Sequence, residues 1–183
     1  FEWTHQRLDG EVFPATILLS RLAAGGNIFL QATVRDVTEQ KKAEEQIRQQ
    51  QQDLQTIFEA APVGILLIDH TLVVRQVNAV AARLFGKTDD ETVGHKLGES
   101  LGCIHATNDS GGCRKDPACS LCPIRMTVEN TLATGQSVHG AEVPATFHIR
   151  GEDVGLWLEI SAEPMVREGK RHVIMVINNI TER

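Results

Sequence analysis

One pattern of residues occurs twice in this chain, at a constant spacing of 143 positions. His5 aligns with His148, Arg7 with Arg150, Ile17 with Ile160, Gly26 with Gly169, and Thr38-Glu39 with Thr181-Glu182, without a gap. In each copy a polar segment ends at a turn (LDGE, RGED) and an alternating segment follows. A glycine-bearing turn (AAGGN, REGK) then reverses the chain, and an apolar segment (IFLQATV, HVIMVI) closes it. Alternation bounded by turn residues predicts a three-stranded antiparallel meander in each copy. Scattered matches between two β-rich stretches also arise by chance, but here order, turns and endings all coincide.

Between the copies, RDVTEQ runs into KKAEEQIRQQQQDLQTIFEAAP, which lacks Gly and Pro until Pro62 and is rich in strong helix formers. Thr38 is the candidate cap of this helix. Ala43, Ile47, Gln50, Leu54, Ile57 and Ala61 follow the four-three spacing of a heptad seam, in which a polar Gln50 fixes register at some cost in stability. Two readings follow: a homodimer formed through this linker helix, which we prefer, or a solvated helix packed on its own domain.

From Val63 the pattern changes. VGILLID and VVRQVN predict two strands joined at His70-Thr71, and NAVAARLFG predicts a short helix that stops at Gly86. The polar stretch TDDETVG leads into a cysteine-bearing segment. IRMTVENTLATG then predicts an amphipathic helix with Ile124, Val128 and Leu132 on one face and Gly135 at its end, before the meander of residues 138–178.

FEAAPVGILLID at the entry, VNAVAARLFG for the short helix, ATGQSV before the meander and NNITER at the exit give the chain a resemblance to the PAS sensor family. RDVTEQ and NNITER are similar to the Asp-Ile-Thr ending that joins PAS domains to signalling helices, with Asp36-Val37-Thr38 in the first copy and Asn179-Ile180-Thr181 in the second. The resemblance implies an α+β fold, a five-stranded antiparallel sheet with helices across one face. It divides the chain into the last three strands of one PAS domain (1–38), a coiled-coil-like linker helix (39–61) and a complete PAS domain (62–183). Its ligand pocket falls among Leu66, Ile68, Leu84, Phe85 and Val128, which we prefer to read as plain core. Tandem PAS domains of this kind usually serve bacterial histidine kinases, with cyclic-dinucleotide enzymes and transcription activators as other outputs; the output domain is expected beyond Arg183. Residues 1–38 by themselves leave a sheet face and an edge uncovered, so cover is expected from the second domain or from another copy.

All four cysteines, Cys103, Cys113, Cys119 and Cys122, fall within twenty residues. Their spacing is Cys-x9-Cys-x5-Cys-x2-Cys, and the final pair lets two sulfurs reach one centre from a single turn. Such clustering suits metal chelation in a reducing compartment better than the long-range stapling of a secreted domain. Tetrahedral zinc and an iron-sulfur cluster both want four thiolates, and Cys122-Pro123 matches the Cys-Pro that ends ferredoxin motifs. A reversible disulfide without metal and an inert surface loop stay open beside them. His105 is a possible substitute ligand, although a lone loop histidine is more often solvated. Arg114 and Lys115 are candidate charges to offset thiolates. In this PAS position the cluster borders the region where family members hold ligands, and a change at the metal would shift the long helix against the sheet.

Other classes are excluded by what the motifs lack. No histidine precedes Glu or Asp as in a phosphoacceptor box, and neither a phosphate-binding glycine loop nor H-E-x-x-H occurs. Cys119-Ser-Leu-Cys122-Pro lacks the histidine of c-type haem attachment, and Gly112-Cys113-Arg114 lacks the context of a flavin-binding cysteine. A net charge of −6 without a basic stripe argues against nucleic acid. No apolar run approaches the ~20 residues of a membrane span. FEWTHQRL reads as a strand rather than a signal peptide, so the expected location is cytoplasmic, in what reads as an excerpt of a longer protein.

Overall fold

The computed structural model describes residues 1–107, 112–113 and 117–182. Arg114 and Lys115 lie outside the described residues. The chain divides into two compact units, Phe1–Gln55 and Thr56–Arg183.

In the first unit, β1 (Glu2–Gln6), β2 (Val12–Ala24) and β3 (Asn27–Asp36) form an antiparallel sheet in chain order, followed by helix α1 (Thr38–Ala60). Arg7 organises the sheet's entry. Its guanidinium donates to Glu11 and Asp36 and lies 4.4 Å from the centroid of the Phe13 ring. Among the apolar residues of this sheet and its exit whose burial is described, only Ala15 and Val37 are buried. Phe1, Trp3, Leu18, Ile28 and Leu30 are each more than half exposed.

Thr38 does not cap α1 in the sense expected. Its backbone N–H and its hydroxyl both donate to Asp36 Oδ1, at 2.9 and 2.6 Å. The acceptor that turns the chain into the helix is therefore the Asp36 carboxylate, an Asx turn, and the Thr38 hydroxyl is already used.

The second unit holds a five-stranded antiparallel sheet in the order β5-β4-β8-β7-β6. Its elements are β4 (Gly64–Ile68), β5 (Val74–Val77), four short helices α2 (Ala79–Leu84), α3 (Asp89–Thr92), α4 (Leu97–Ser100) and α5 (Ile104–Thr107), a 3₁₀ turn (Pro117–Leu121), α6 (Pro123–Thr134), β6 (Val138–Ile149), β7 (Glu152–Arg167) and β8 (Lys170–Asn179). The α+β class and the five-stranded sheet expected from the sequence are present. Alternate residues of β7 and β8, among them Leu158, Ile160, Val173, Met175 and Ile177, are buried on the face that α6 packs against. Phe85 of the α2 cap meets Phe147 of β6 edge to face, with centroids 5.0 Å apart, and closes the core.

The polar stretch after Gly86, to which sequence reading gave no element of its own, contains the short helix α3. Thr88-Asp-Asp-Glu91 is a capping box, with the Thr88 backbone N–H donating to Glu91 Oε2 at 2.9 Å. In α6, Ile124 and Val128 face the core as predicted, and Thr131 is buried while Leu132 is only partly so. Gly135 ends the helix at φ 72°, the left-handed conformation that suits glycine.

The repeat is reproduced in one hairpin and broken in the other. Shifting β3 by the repeat spacing gives the bounds of β8, and the β2–β3 pairing Ala15↔Asp36 becomes Leu158↔Asn179 in β7–β8. The first hairpins differ in register: Glu2 faces Thr16, whereas its counterpart Ala145 faces Leu156. The cause is the turn. The open Arg7–Glu11 loop spaces β1 from β2, whereas Ile149 and Glu152 pair directly across a tight turn with Arg150 at φ 52°.

Candidate functional site

Three of the cysteines sit in or beside different short elements. Cys103 precedes α5, Cys119 lies in the 3₁₀ turn, and Cys122 precedes Pro123 at the start of α6, with Cys113 between them. The loop bearing Cys103 is tied to the sheet, because His148 N–H donates to Gly102 O at 2.7 Å and Cys103 bridges to Phe147. Gly102 makes this close approach possible, since a Cβ there would meet His148 O at 2.9 Å. On the opposite wall, a Cβ at Gly98 would meet Cys113 Sγ at 2.8 Å, so only glycine leaves that sulfur its place.

Together the four cysteines line one cavity of about 30 Å³. Leu97, Leu101, Ile124 and Phe147 make its walls apolar, and Arg125 is the charged residue on its rim. None of the cysteines forms a disulfide. A second cavity of about 160 Å³ shares Cys103, Cys119 and Cys122 as a wall and adds His105, Pro144 and Thr146. His105 thus belongs to the second cavity and does not line the first. As placed, no three His, Cys, Asp or Glu side chains among the described residues form a cluster able to hold a metal ion. The thiols ring a void rather than meeting at a point.

Burial pushes the Cys103 thiol above its ordinary pKa, opposed by the His105 backbone N–H and reinforced by the other three cysteines. Burial likewise raises Cys113, where the Gly98 backbone N–H and the Arg125 charge pull the other way. The metal-free thiols of both are therefore neutral near pH 7.

Arg125 was not singled out by sequence reading. Its side chain is only 13% exposed, and its Nε is shielded from solvent with no hydrogen-bond partner among the described residues. The nearest carboxylate oxygen among the described residues, Glu129 Oε2, is 3.6 Å from Nε, an ion pair beyond hydrogen-bond reach. The signal was in the helix period: a residue three after Cys122 returns to the same face one turn on.

Two matches to family models decide the classification. Residues 1–39 match a PAS domain model and residues 52–109 match the PAS fold model, together more than half of the chain. The chain belongs to the PAS family. Solved PAS domains share the fold at low sequence identity. That of an HTR-like protein from Haloarcula marismortui aligns at a TM-score of 0.54 and 15% identity, covering 76% of this chain and 99% of its own. One from Colwellia psychrerythraea aligns at 0.52 and 14%, covering 75% and 99%. A PAS domain from a two-component sensor histidine kinase aligns at 0.50 and 8%, covering 72% and 97%. No curated protein matches the sequence.

Within the PAS fold the thiol cavity lies between the short helices and α6, with Phe147 of β6 at its wall. Leu66, Ile68, Phe85 and Val128 belong to the buried core and Leu84 packs against it; none of the five lines the thiol cavity. The exit motif keeps half of what its first copy does. Asn179 Oδ1 accepts from the Thr181 N–H and hydroxyl, as Asp36 does from Thr38, and the Thr181 hydroxyl oxygen accepts from Trp157 N–H at 3.0 Å. An amide at 179 keeps the turn and forgoes the charge that Arg7 pairs with in the first copy. Along α1, Ala43, Ile47, Gln50, Leu54 and Ile57 are all exposed. No helix among the described residues is long and apolar enough to cross a membrane.

Proposed function

We propose that this chain is the sensory input module of a bacterial signal-transduction protein, most closely of the two-component histidine kinase type, and that the cysteine cavity is its sensing site. The observation that carries the reading is the position of the four thiols at the N-terminal end of α6. The opposite end of that helix is held by the sheet, where Arg171 of β8 donates to Leu132 O and Ala133 O at 2.5 and 2.8 Å. A metal centre at the thiols, zinc or iron-sulfur, sets where α6 begins. Oxidation of the cysteine thiolates or of a cluster, or loss of the metal, would release that end and let the helix move against β8, whose last residues form the Asn179–Thr181 exit turn.

The segment carries no catalytic role in this reading; an output domain in the same protein, in the cytoplasm, acts on the signal. The likeness of the fold to a histidine kinase PAS domain supports that assignment of the output. Two copies join through the α1 seam, supported by the exposure of Ile47, Leu54 and Ile57 in the single chain.

Amide hydrogen exchange tests the coupling. Protein prepared without oxygen is compared with the same protein after chelation or mild oxidation. Protection is expected to fall in α6 and along β8, and to be insensitive to the treatment in a Cys119→Ser/Cys122→Ser variant. Exchange that changes only in residues 103–122 would leave the cysteines as a local staple.

A further inference from the structure

The size, wall chemistry and charge of the thiol cavity go further than the choice between zinc and a cluster. We propose that the four cysteines seat a single divalent, thiolate-preferring metal ion of the zinc class, and that Arg125 is the buried countercharge of that centre. The inference rests on the cysteine cavity being the sensing site, and it deepens that reading by naming the occupant.

Size comes first. A void of about 30 Å³ has the room of one ion or of a water-sized guest, whereas a cluster of several irons and sulfides would need the walls apart. Those walls are built by Leu97, Leu101 and Phe147 of the packed core, so expansion would break core contacts. As placed the sulfurs do not converge, so seating an ion requires the four thiols that face this void to close on it, to metal–sulfur distances of about 2.3 Å.

Charge is the independent observation. Binding exchanges four thiol protons, released to solvent, for four sulfur–metal bonds; four thiolates around a divalent ion leave two negative charges in excess. An apolar wall cannot solvate that excess. Arg125 lines the same cavity, and its Nε–H is buried without an acceptor. The guanidinium has only a loose ion pair with Glu129, at 3.6 Å from Nε; its buried Nε–H without a hydrogen-bond acceptor is costly, and a thiolate sulfur is the acceptor that removes that cost. Guanidinium and thiolate centre each supply what the other lacks.

The test is a titration of the full chain, stripped of metal under reducing conditions, with Co²⁺ as the probe. One Co²⁺ per chain is expected, with the intense visible bands of tetrahedral thiolate coordination, and Zn²⁺ is expected to displace it. Arg125→Met should weaken Zn²⁺ binding roughly 10- to 100-fold in competition with a chelator, the range of second-sphere partners, while Arg125→Lys recovers part of the loss. In the metal-free protein the same Arg125→Met change should leave the melting temperature unchanged or raise it. A residue that merely packs would lower it. Iron with stoichiometric labile sulfide in protein isolated without oxygen would overturn the single-ion seat while leaving a metal sensor intact. Cysteines that oxidise to disulfides and bind neither metal would overturn both readings. Wild-type affinity in Arg125→Met would overturn the countercharge.

Discussion

Asp69 ends β4 at a turn whose geometry it largely sets. It is 2% exposed, and its carboxylate accepts from Thr71 N–H, Thr71 Oγ1 and Val73 N–H at 2.8, 2.7 and 3.1 Å, and from Arg75 Nε at 2.7 Å. Burial by itself would raise its pKa; the donors from Thr71, Val73 and Arg75 outweigh burial and hold it well below the ordinary carboxylate range. A depressed folded-state pKa means that the stabilisation is fully present above the unfolded value of about 4 and is lost as pH falls below it toward the folded value. Asp69→Asn is expected to cost about 2 kcal/mol at pH 7, and the gap from wild type should narrow at pH 3. Urea unfolding followed by Trp157 fluorescence in a Trp3→Phe background measures both; an equal gap at the two pH values would contradict the linkage. Asn78 is the other buried polar anchor. Its Oδ1 accepts from Ile65 and Ala81 N–H, and its Nδ2 donates to Phe58 O and Val63 O. It thereby caps α2 and, within the second unit, holds the last turn of α1 beside β4. Sequence reading placed the turn and the helix but neither anchor, because a buried Asp or Asn looks like a surface one until its donors are assembled from distant positions.

At the scale of elements, α6 is the part on which the site and the sheet both act. Cys122 occupies its N-cap position ahead of Pro123, and Arg171 holds its last carbonyls from β8, next to the left-handed Gly135. A cation at a helix C-terminus stabilises by satisfying open carbonyls and opposing the negative end of the dipole. Arg171→Met is expected to cost about 1 kcal/mol and to speed amide exchange in the last turn of α6, with α2 unaffected. Uniformly faster exchange through the whole sheet would instead mean that Arg171 supports packing. The amphipathic character of α6 was legible from Ile124 and Val128. What was not legible is that Arg125, one position from the core face, turns toward the thiols. Helical period gives a residue's angle around the axis but not what stands opposite.

The whole molecule repeats one meander in two settings. In β8 alternate residues are buried, whereas every residue of β3, the equivalent strand, is exposed. The backbones match; the cover does not. β4 pairs with β8 and helices pack over its sheet, while β3 has only β2 beside it in its own sheet. The seam of α1 and most apolar residues of β2 and β3 are thus exposed in the single chain. Ile47→Lys/Leu54→Lys is expected to convert a dimer to a monomer in sedimentation, and Leu18→Glu/Ile28→Glu to leave the dimer in place. The reverse result would move the interface from helix to sheet. Elements whose signal is periodic, the meanders, α1 and α6, were legible from residue order alone, because period and turn chemistry act over a few neighbouring residues. So were the clustering of the cysteines and the PAS order of strands and helices. Tertiary structure alone decided the register of the first hairpin, the anchoring by Asp69 and Asn78, the enclosure of four thiols in one small apolar void and the presence of Arg125 beside them. Each of those depends on contacts between segments far apart in the chain, whose distances and desolvation exist only once the core has closed.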